Sequence, residues 1–394
     1  MDQTDEPVNG LMILRGGLLH TPTFIGAGDI LVGGGKILGL FTNNLPSEFL
    51  KQATVLDITG SYITPGLVDS HAHVTGGGGE EGPVSRVPEP HLSDFVGAGV
   101  TSVVGVTGTD SITRSLDALL AKVRALNKEG ISAWMHTGAY RVPTPTLTGQ
   151  VMRDLVTVEQ VIGVKIALSD HRGSQPTFSE LLRLASDART GGLVGGKAGV
   201  VNCHIGSGDE RLGLLWEIVR RTPIPARQFL PTHVSRTTKL LDDGKKWLEA
   251  GGSVDLTAQV TKDKTARVLT ELKAETSPLD RVTVSSDAFG SLPKFDKDGE
   301  FVGMGVAKPD TLLGVVTSLV KNHGWELEQA LPFFTSNPAS ILKLPKGYIK
   351  VGSDADLLVL GEDLKLEYVF SRGALMKTPM WVRKGMFEDS KSRG

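Results

Sequence analysis

The chain has 394 residues, with 42 Lys plus Arg against 44 Asp plus Glu and a formal net charge of −2. That balance provides no basic field for nucleic acid, so a charged ligand has to be recognised by local groups. A single cysteine, Cys203, excludes an intramolecular disulfide, and no apolar run approaches the roughly 18–20 residues needed to cross a bilayer. The start Met-Asp-Gln-Thr-Asp-Glu-Pro lacks the basic and apolar parts of a signal peptide, which makes the cytoplasm the expected compartment.

Residues 11 to 60 carry short β-type runs, among them Leu11 to Leu14, Asp29 to Val32, Lys36 to Leu38 and Thr54 to Asp57, separated by Gly, Pro and Asn turns. They predict a small antiparallel sheet. From about residue 64 to 344 the texture changes to apolar strand, loop and amphipathic helix in alternation. Eight strands are predicted: Gly66 to His73, Thr101 to Gly108, Ile131 to Tyr140, Val161 to Leu168, Gly199 to Gly206, Phe229 to Val234, Gly252 to Gln259 and Arg281 to Asp287. Helices with one apolar face are expected over Ser115 to Asn127 and Asp209 to Arg221.

Strand texture returns after Gly347, in Asp356 to Leu360, Leu366 to Phe370 and Met380 to Arg383. The fold class is therefore α/β, a (β/α)8 TIM-like barrel over 65–344. A small β-sandwich domain is expected from both chain ends, 1–64 and 345–394. The acidic start and the tail Lys391 to Gly394 read as disordered.

Lys165 lies inside the apolar run Val161-Ile-Gly-Val-Lys-Ile-Ala-Leu168. A bare ammonium there is costly unless it is paired, neutralised or modified. Carboxylation of its amine by CO2 gives an anionic carbamate able to bridge two cations. The same chain carries His71, His73, His204, His233 and Asp287, each at a predicted strand end, where barrel enzymes place their chemistry.

His71 and His73 are two apart and share a face, with Ala72 pointing outward; by the same parity Cys203 faces the helices if His204 faces in. Imidazoles with carboxylates suit zinc first, and manganese, iron, cobalt or nickel could occupy the same set. Two such ions can share a hydroxide while one polarises a carbonyl, and Asp287 fits both ligand and proton shuttle.

Pro65-Gly66-Leu-Val-Asp-Ser-His71-Ala-His73, the strand lysine, the later histidines, Asp287 and Gly352-Ser-Asp-Ala-Asp-Leu-Leu-Val359 resemble the amidohydrolase superfamily. Narrower motifs are similar to its isoaspartyl (β-aspartyl) dipeptidase family: Gly76-Gly-Gly-Gly-Glu80, Thr101-Ser-Val-Val-Gly-Val-Thr-Gly-Thr109, Thr137-Gly-Ala-Tyr140, Ser169-Asp-His-Arg172, Pro231-Thr-His233-Val-Ser-Arg236 and Ser285-Ser-Asp287 with Ser291. Together they span almost the whole chain.

The resemblance implies that His71, His73, Asp287 and carboxylated Lys165 bind one zinc, and that Lys165, His204 and His233 bind a second. It also implies a pocket for a dipeptide joined through the aspartate side chain. Glu80 would take the α-amino group, Tyr140 would polarise the scissile carbonyl, Arg172, Arg236 and Ser291 would hold carboxylates, and Gly78 and Thr109 would line the site. A homo-oligomer is implied too, with an octamer the assembly it suggests. Ala288-Phe289 departs from the family's usual glycine after the aspartate. The alternative activity is hydrolysis of a cyclic amide in the manner of dihydroorotase or hydantoinase, from a similar cage of ligands. A barrel that binds no metal and serves assembly is the reading outside enzymes.

Overall fold

A computed structural model of the chain describes residues 10–43, 45–258, 261–275, 279–295 and 301–388. Gln259 and the two termini with their expected disorder lie outside the described residues.

The N-terminal strands are β1 (Leu11–His20), β2 (Phe24–Gly33), β3 (Lys36–Phe41), β4 (Ala53–Asp57) and β5 (Tyr62–Pro65). The expectation of an antiparallel sheet is corrected: β1 pairs antiparallel with β2 but parallel with both β4 and β5. One strand serves two partners because it is interrupted at Gly16-Gly17, where Gly16 adopts φ +75° and its N–H donates to Asp29 Oδ1 at 2.8 Å. Residues 11–15 face β4 and residues 18–19 face β5.

The barrel strands follow: β6 (Leu67–Ala72), β7 (Val100–Gly105), β8 (Ser132–Gly138), β9 (Val161–Leu168), β10 (Val200–Ile205), β11 (Phe229–Thr232), β12 (Val254–Thr257) and β13 (Val282–Ser285). All eight predicted segments contain one of them. β6 to β11 form a continuous parallel sheet, and β12 and β13 form a parallel pair. The circuit is completed by Asp287 N–H donating to His71 O at 3.1 Å and His73 N–H donating to Ala288 O at 2.8 Å. This arrangement fits a TIM-like barrel.

A hairpin, β14 (Ser291–Phe295) with β15 (Phe301–Val306), leaves the rim after β13. The chain then returns through β16 (Leu357–Leu360), β17 (Leu366–Ser371), β18 (Ala374–Thr378) and β19 (Trp381–Val382). β16 pairs with β5, so the two chain ends share one nine-stranded sheet. The sheet curls until β3 meets the turn before β16, with Ile37 N–H donating to Ser353 O at 2.9 Å. Leu14, Ile30, Ile37, Ile63, Leu357 and Phe370 fill the interior of the curl.

Helices cover the barrel with the faces their sequences predict. In Leu116–Glu129, Leu116, Leu119, Val123 and Leu126 are buried, the Ser115 Oγ caps Ala118 N–H at 3.2 Å, and Gly130 ends the helix at φ +127°. The second expected helix starts at Gly213 rather than Asp209, because Arg211 is left-handed at φ +46° and its N–H is drawn to Ser169 Oγ. At the N-terminal end of the barrel, Val68, Val104, Ile162, Val200 and Leu230 pack against Ala339, Leu342 and Leu344, which closes the floor. Cys203 belongs to the apolar layer between strands and helices, as does Ala72.

Trp247, on helix Thr238–Glu249, is fully buried, edge-on to Trp216 at 4.9 Å and to Phe229 at 6.3 Å. Phe229 opens the strand that leads to His233. Trp247→Ala is expected to cost about 3–5 kcal/mol, read as a lowered apparent unfolding temperature by scanning calorimetry.

Candidate metal centre and substrate pocket

The predicted ligands sit together at the C-terminal rim because five different strands end there. His71 is in the last turn of pleat of β6 and His73 lies just beyond it; Lys165 is on β9 and His204 on β10. His233 follows β11 in a left-handed conformation, φ +65°, and Asp287 follows β13 at φ +51°. Such angles are uncommon for non-glycine residues and persist where the surroundings hold them.

Lys165 is completely buried, with its Nζ 2.7 Å from His71 Nε2. Desolvation lowers its pKa to about 7, with Asp287 and Asp255 opposing the shift. A substantial fraction of free amine is then present at neutral pH, the form that reacts with CO2. Burial also holds His71 and His233 far below the ordinary imidazole range and His204 at about 3, so all three present neutral rings.

Ligand-type atoms of His71, His233 and Asp287 lie within 4.8 Å of one another. Asp287 Oδ1 is 3.2 Å from His73 Nε2 and 3.8 Å from His71 Nε2. The His204 and His233 rings are 4.5 Å apart. The His71 and His73 Nδ1 atoms and Asp287 Oδ1 are buried without hydrogen-bond partners, a state that burial makes costly. Neutral imidazoles, a carboxylate and an amine that burial biases toward its free form fit one or more divalent cations. Burial opposes charge on Asp287, but His73, Lys165 and His204 beside it keep its carboxyl below the usual range.

The expected substrate residues converge on Glu80. Its carboxylate accepts from Thr109 Oγ1 at 3.2 Å, from Ser291 Oγ at 3.3 Å and from Arg172 Nη1 at 3.3 Å. Gly78 nearby has φ +79°, and a Cβ there would stand 2.3 Å from Ser85 O, so only glycine fits. Tyr140 is buried, its hydroxyl 2.7 Å from His204 Nδ1, and burial pushes its pKa up, so the phenol keeps its proton. Arg236, in the turn Val234–Arg236, reaches to 4.0 Å from Asp170 Oδ2.

Phe289 explains what the departure after Asp287 does locally. It occupies φ +60°, where glycine would be favoured, and its ring lies 6.3 Å from that of Phe95. Its N–H donates to Ala307 O at 2.9 Å, tying the turn after Asp287 to the end of the hairpin.

Asp170, Asp255, Asp69 and His136 are among the buried polar residues given no role from the sequence. Asp170 accepts hydrogen bonds from Arg172 and His204, which outweigh its burial and hold its carboxyl well below the usual range. Asp255 accepts from Thr232, Thr283 and Ser285, each at 2.6 Å, yet burial still raises its pKa to about 6. Asp69 accepts from the Ser286 hydroxyl and N–H and is raised to about 7. His136 is buried with neither ring nitrogen partnered and is lowered to about 3. Of these, Asp170 and Asp69 had a signal, their places in Ser169-Asp-His-Arg172 and in Pro65-Gly66-Leu-Val-Asp-Ser-His71.

The amidohydrolase family model matches residues 248–388. A crystal structure of β-aspartyl dipeptidase from Fervidobacterium islandicum AW-1, in complex with β-Asp-Leu dipeptide, is 40% identical, covers 96% of this chain and 100% of its own, and superposes with a TM-score of 0.89. A second structure of that protein is 38% identical over the same shares, with a TM-score of 0.87. The chain belongs to the β-aspartyl dipeptidase family. Imidazolonepropionase from Rhizobium meliloti is 31% identical over only 22% of either chain. Across three imidazolonepropionases the matched part spans between 22% and 30% of their length.

As a member of the β-aspartyl dipeptidase family, the chain is a hydrolase, and among its described residues no helix is long and apolar enough to cross a membrane. Its site makes acid stability predictable. Unfolded histidine titrates near 6.5, so below that pH the unfolded chain binds protons that buried His71, His136, His204 and His233 refuse, and stability falls with pH. Asp69 and Asp255, with raised values, bind protons in the folded state first and act oppositely, from about pH 4 up to about 7 for Asp69 and about 6 for Asp255. Four groups against two leave a net loss of roughly 3 kcal/mol per pH unit near pH 5.5. Urea unfolding of chelator-treated protein at pH 6.5 and 5 measures it; greater stability at pH 5 would contradict the assignment.

Proposed function

We propose that this chain is a dipeptidase that hydrolyses β-aspartyl dipeptides to aspartate and a free amino acid, using two divalent cations, zinc first among them. The observation that carries the reading is the gathering of Glu80, Thr109, Ser291 and Arg172 into one polar cluster beside the His71, His233 and Asp287 group. An isoaspartyl dipeptide has one ammonium and two carboxylates around its scissile amide. One glutamate and two arginines are the complementary charges. The bound β-Asp-Leu of the Fervidobacterium relative supports the same substrate class.

In this reading His71, His73, Asp287 and carboxylated Lys165 hold one cation, and Lys165, His204 and His233 hold the other. Such a pair supplies hydroxide at neutral pH and Lewis-acid polarisation of the carbonyl. Glu80 takes the ammonium, displacing Arg172 Nη1 from its carboxylate, and Arg172, Arg236 and Ser291 take the substrate carboxylates. Gly78 and Thr109 shape the wall beside them. Tyr140, protonated, donates to the oxygen that becomes negative in the transition state. Asp287, ionised, carries a proton to the departing nitrogen. The barrel over 65–344 carries the chemistry, and the strands of both chain ends form a separate small domain.

Asp287→Asn is expected to lower kcat on β-Asp-Leu by about 10²- to 10⁴-fold, with near-wild-type turnover excluding this proton route. Arg172→Met and Arg236→Met are expected to raise KM and lower kcat/KM, measured by initial rates on the same dipeptide. Elemental analysis of the purified enzyme with a panel of β-aspartyl, α-aspartyl and cyclic-amide substrates tests the whole reading. Preference for dihydroorotate or hydantoin would transfer the chain to the cyclic-amide alternative.

A further inference from the structure

We infer that Asp170 is a positioning residue that fixes His204 and Arg172 on one carboxylate, so that the cation-facing nitrogen of His204 and the guanidinium that receives substrate are set by a single side chain. The inference rests on the dipeptidase reading for its ligand roles, and on the geometry of Asp170 for the rest.

Asp170 stands two residues beyond β9 and is 4% exposed. Its Oδ1 accepts from Arg172 N–H and Nε, both at 2.9 Å. Its Oδ2 accepts from Arg172 Nη2 and from His204 Nε2, both at 2.8 Å. Four donors saturate the two oxygens, which rules Asp170 out as a ligand and leaves it as an anchor.

A carboxylate only accepts, so His204 must carry its proton on Nε2. The lone pair of the neutral ring is then on Nδ1, which in this structure accepts from the Tyr140 hydroxyl at 2.7 Å; a cation taking that lone pair would free the hydroxyl to donate to substrate. Without Asp170 either nitrogen could hold the proton and the ring could turn. Carboxylates behind metal-binding histidines work in this way, fixing tautomer and orientation together. Here the same carboxylate also grips Arg172 bidentately, the geometry that most restricts a guanidinium.

The anchor itself is held. Ser169 is left-handed at φ +53°, and its carbonyl accepts from Gly208 N–H at 2.8 Å. The Asp170 carbonyl accepts from Gly173 N–H at 3.0 Å and from Gln175 Nε2 at 2.6 Å. Strand β10 ends against this turn: a Cβ at Gly206 would stand 2.3 Å from Ser169 O and 2.5 Å from the Asp170 Cβ. The glycine lets the strand bearing His204 approach the turn bearing Asp170.

The test compares wild-type enzyme with Asp170→Asn and Arg172→Met. An amide at 170 has one accepting oxygen and no charge, so it cannot keep all four hydrogen bonds or the charge-assisted hold on both partners. Asp170→Asn is expected to weaken zinc binding by about 10- to 100-fold, read by competition with a chromogenic chelator, and to raise KM for β-Asp-Leu. Arg172→Met is expected to raise KM with zinc affinity unchanged, which a merely structural ion pair would not separate. Wild-type zinc affinity in Asp170→Asn would overturn the inference while leaving the dipeptidase reading intact. Wild-type protein that binds zinc but does not cleave β-Asp-Leu would overturn that reading, with the chelator competition still deciding Asp170. Should Asp170→Asn not fold, a crystal structure of the zinc-loaded wild type decides: Nε2 of His204 still on Asp170 is expected, and His204 turned away from Asp170 would overturn the inference.

Discussion

Everything at the rim of this barrel is conditioned by one desolvated amine. Lys165 is fully buried, and its Nζ lies 2.7 Å from an imidazole that is itself held neutral. A fixed positive charge in that position would be unfavourable by several kcal/mol, so the fold lowers the basicity of the amine. Burial likewise is the main reason His71, His204 and His233 stay unprotonated, and any charge on Lys165 acts in the same direction. Neutral imidazoles with free lone pairs and an amine that can lose its proton are what a cation needs around it. The strand that buries Lys165 thus creates the chemistry of its neighbours.

The polar groups are arranged in depth. Asp255, below the rim, is surrounded by hydroxyls that satisfy its oxygens without supplying a counter-charge, and its raised pKa reflects that. The lysine and histidine layer comes next. At the mouth, Asp170, Arg172 and Glu80 alternate in sign, and alternation lowers the cost of holding ionised groups half out of water. A barrel suits such layering because strands rise in register and side chains two apart stack along its axis.

Much of this was legible in the sequence, for physical reasons that differ by residue. Lys165 stood out because charge in an apolar strand is an anomaly, and His71 with His73 because parity puts both on one face. The eight strands were legible because each carries apolar or β-branched residues in a short run that alternates with helical stretches. Asp170 was not, since an acid just after a strand is also what an ordinary turn looks like; only the fold brings His204 to its second oxygen. His136 was hidden for the opposite reason, as a polar residue inside a strand whose neighbours gave no hint of its isolation. The parallel pairing of β4 and β5 with β1 was equally illegible, because direction depends on where the connection crosses, and the break at Gly16 that lets one strand serve two partners carries no pattern of its own.

The mouth of the pocket also bears on which ligand the site can select. Glu80 and Arg172 are 3.3 Å apart and partly buried, and Arg172 is paired more closely with Asp170 at 2.8 Å. A neutral cyclic amide entering beside them could not replace either partner, so the pair would stay closed and contribute nothing to recognition. In the proposed reading, a molecule carrying an ammonium and a carboxylate at the right separation would exchange one internal ion pair for two, with Asp170 still bonded to the guanidinium. Discrimination then comes from the pair that has to be opened, because a ligand with only one of the two charges would leave its counterpart unpaired in a half-buried site. Thr109 and Ser291 donate to Glu80, and in the proposed reading their hydroxyls would keep its carboxylate solvated by the protein as Arg172 exchanged one acceptor for another.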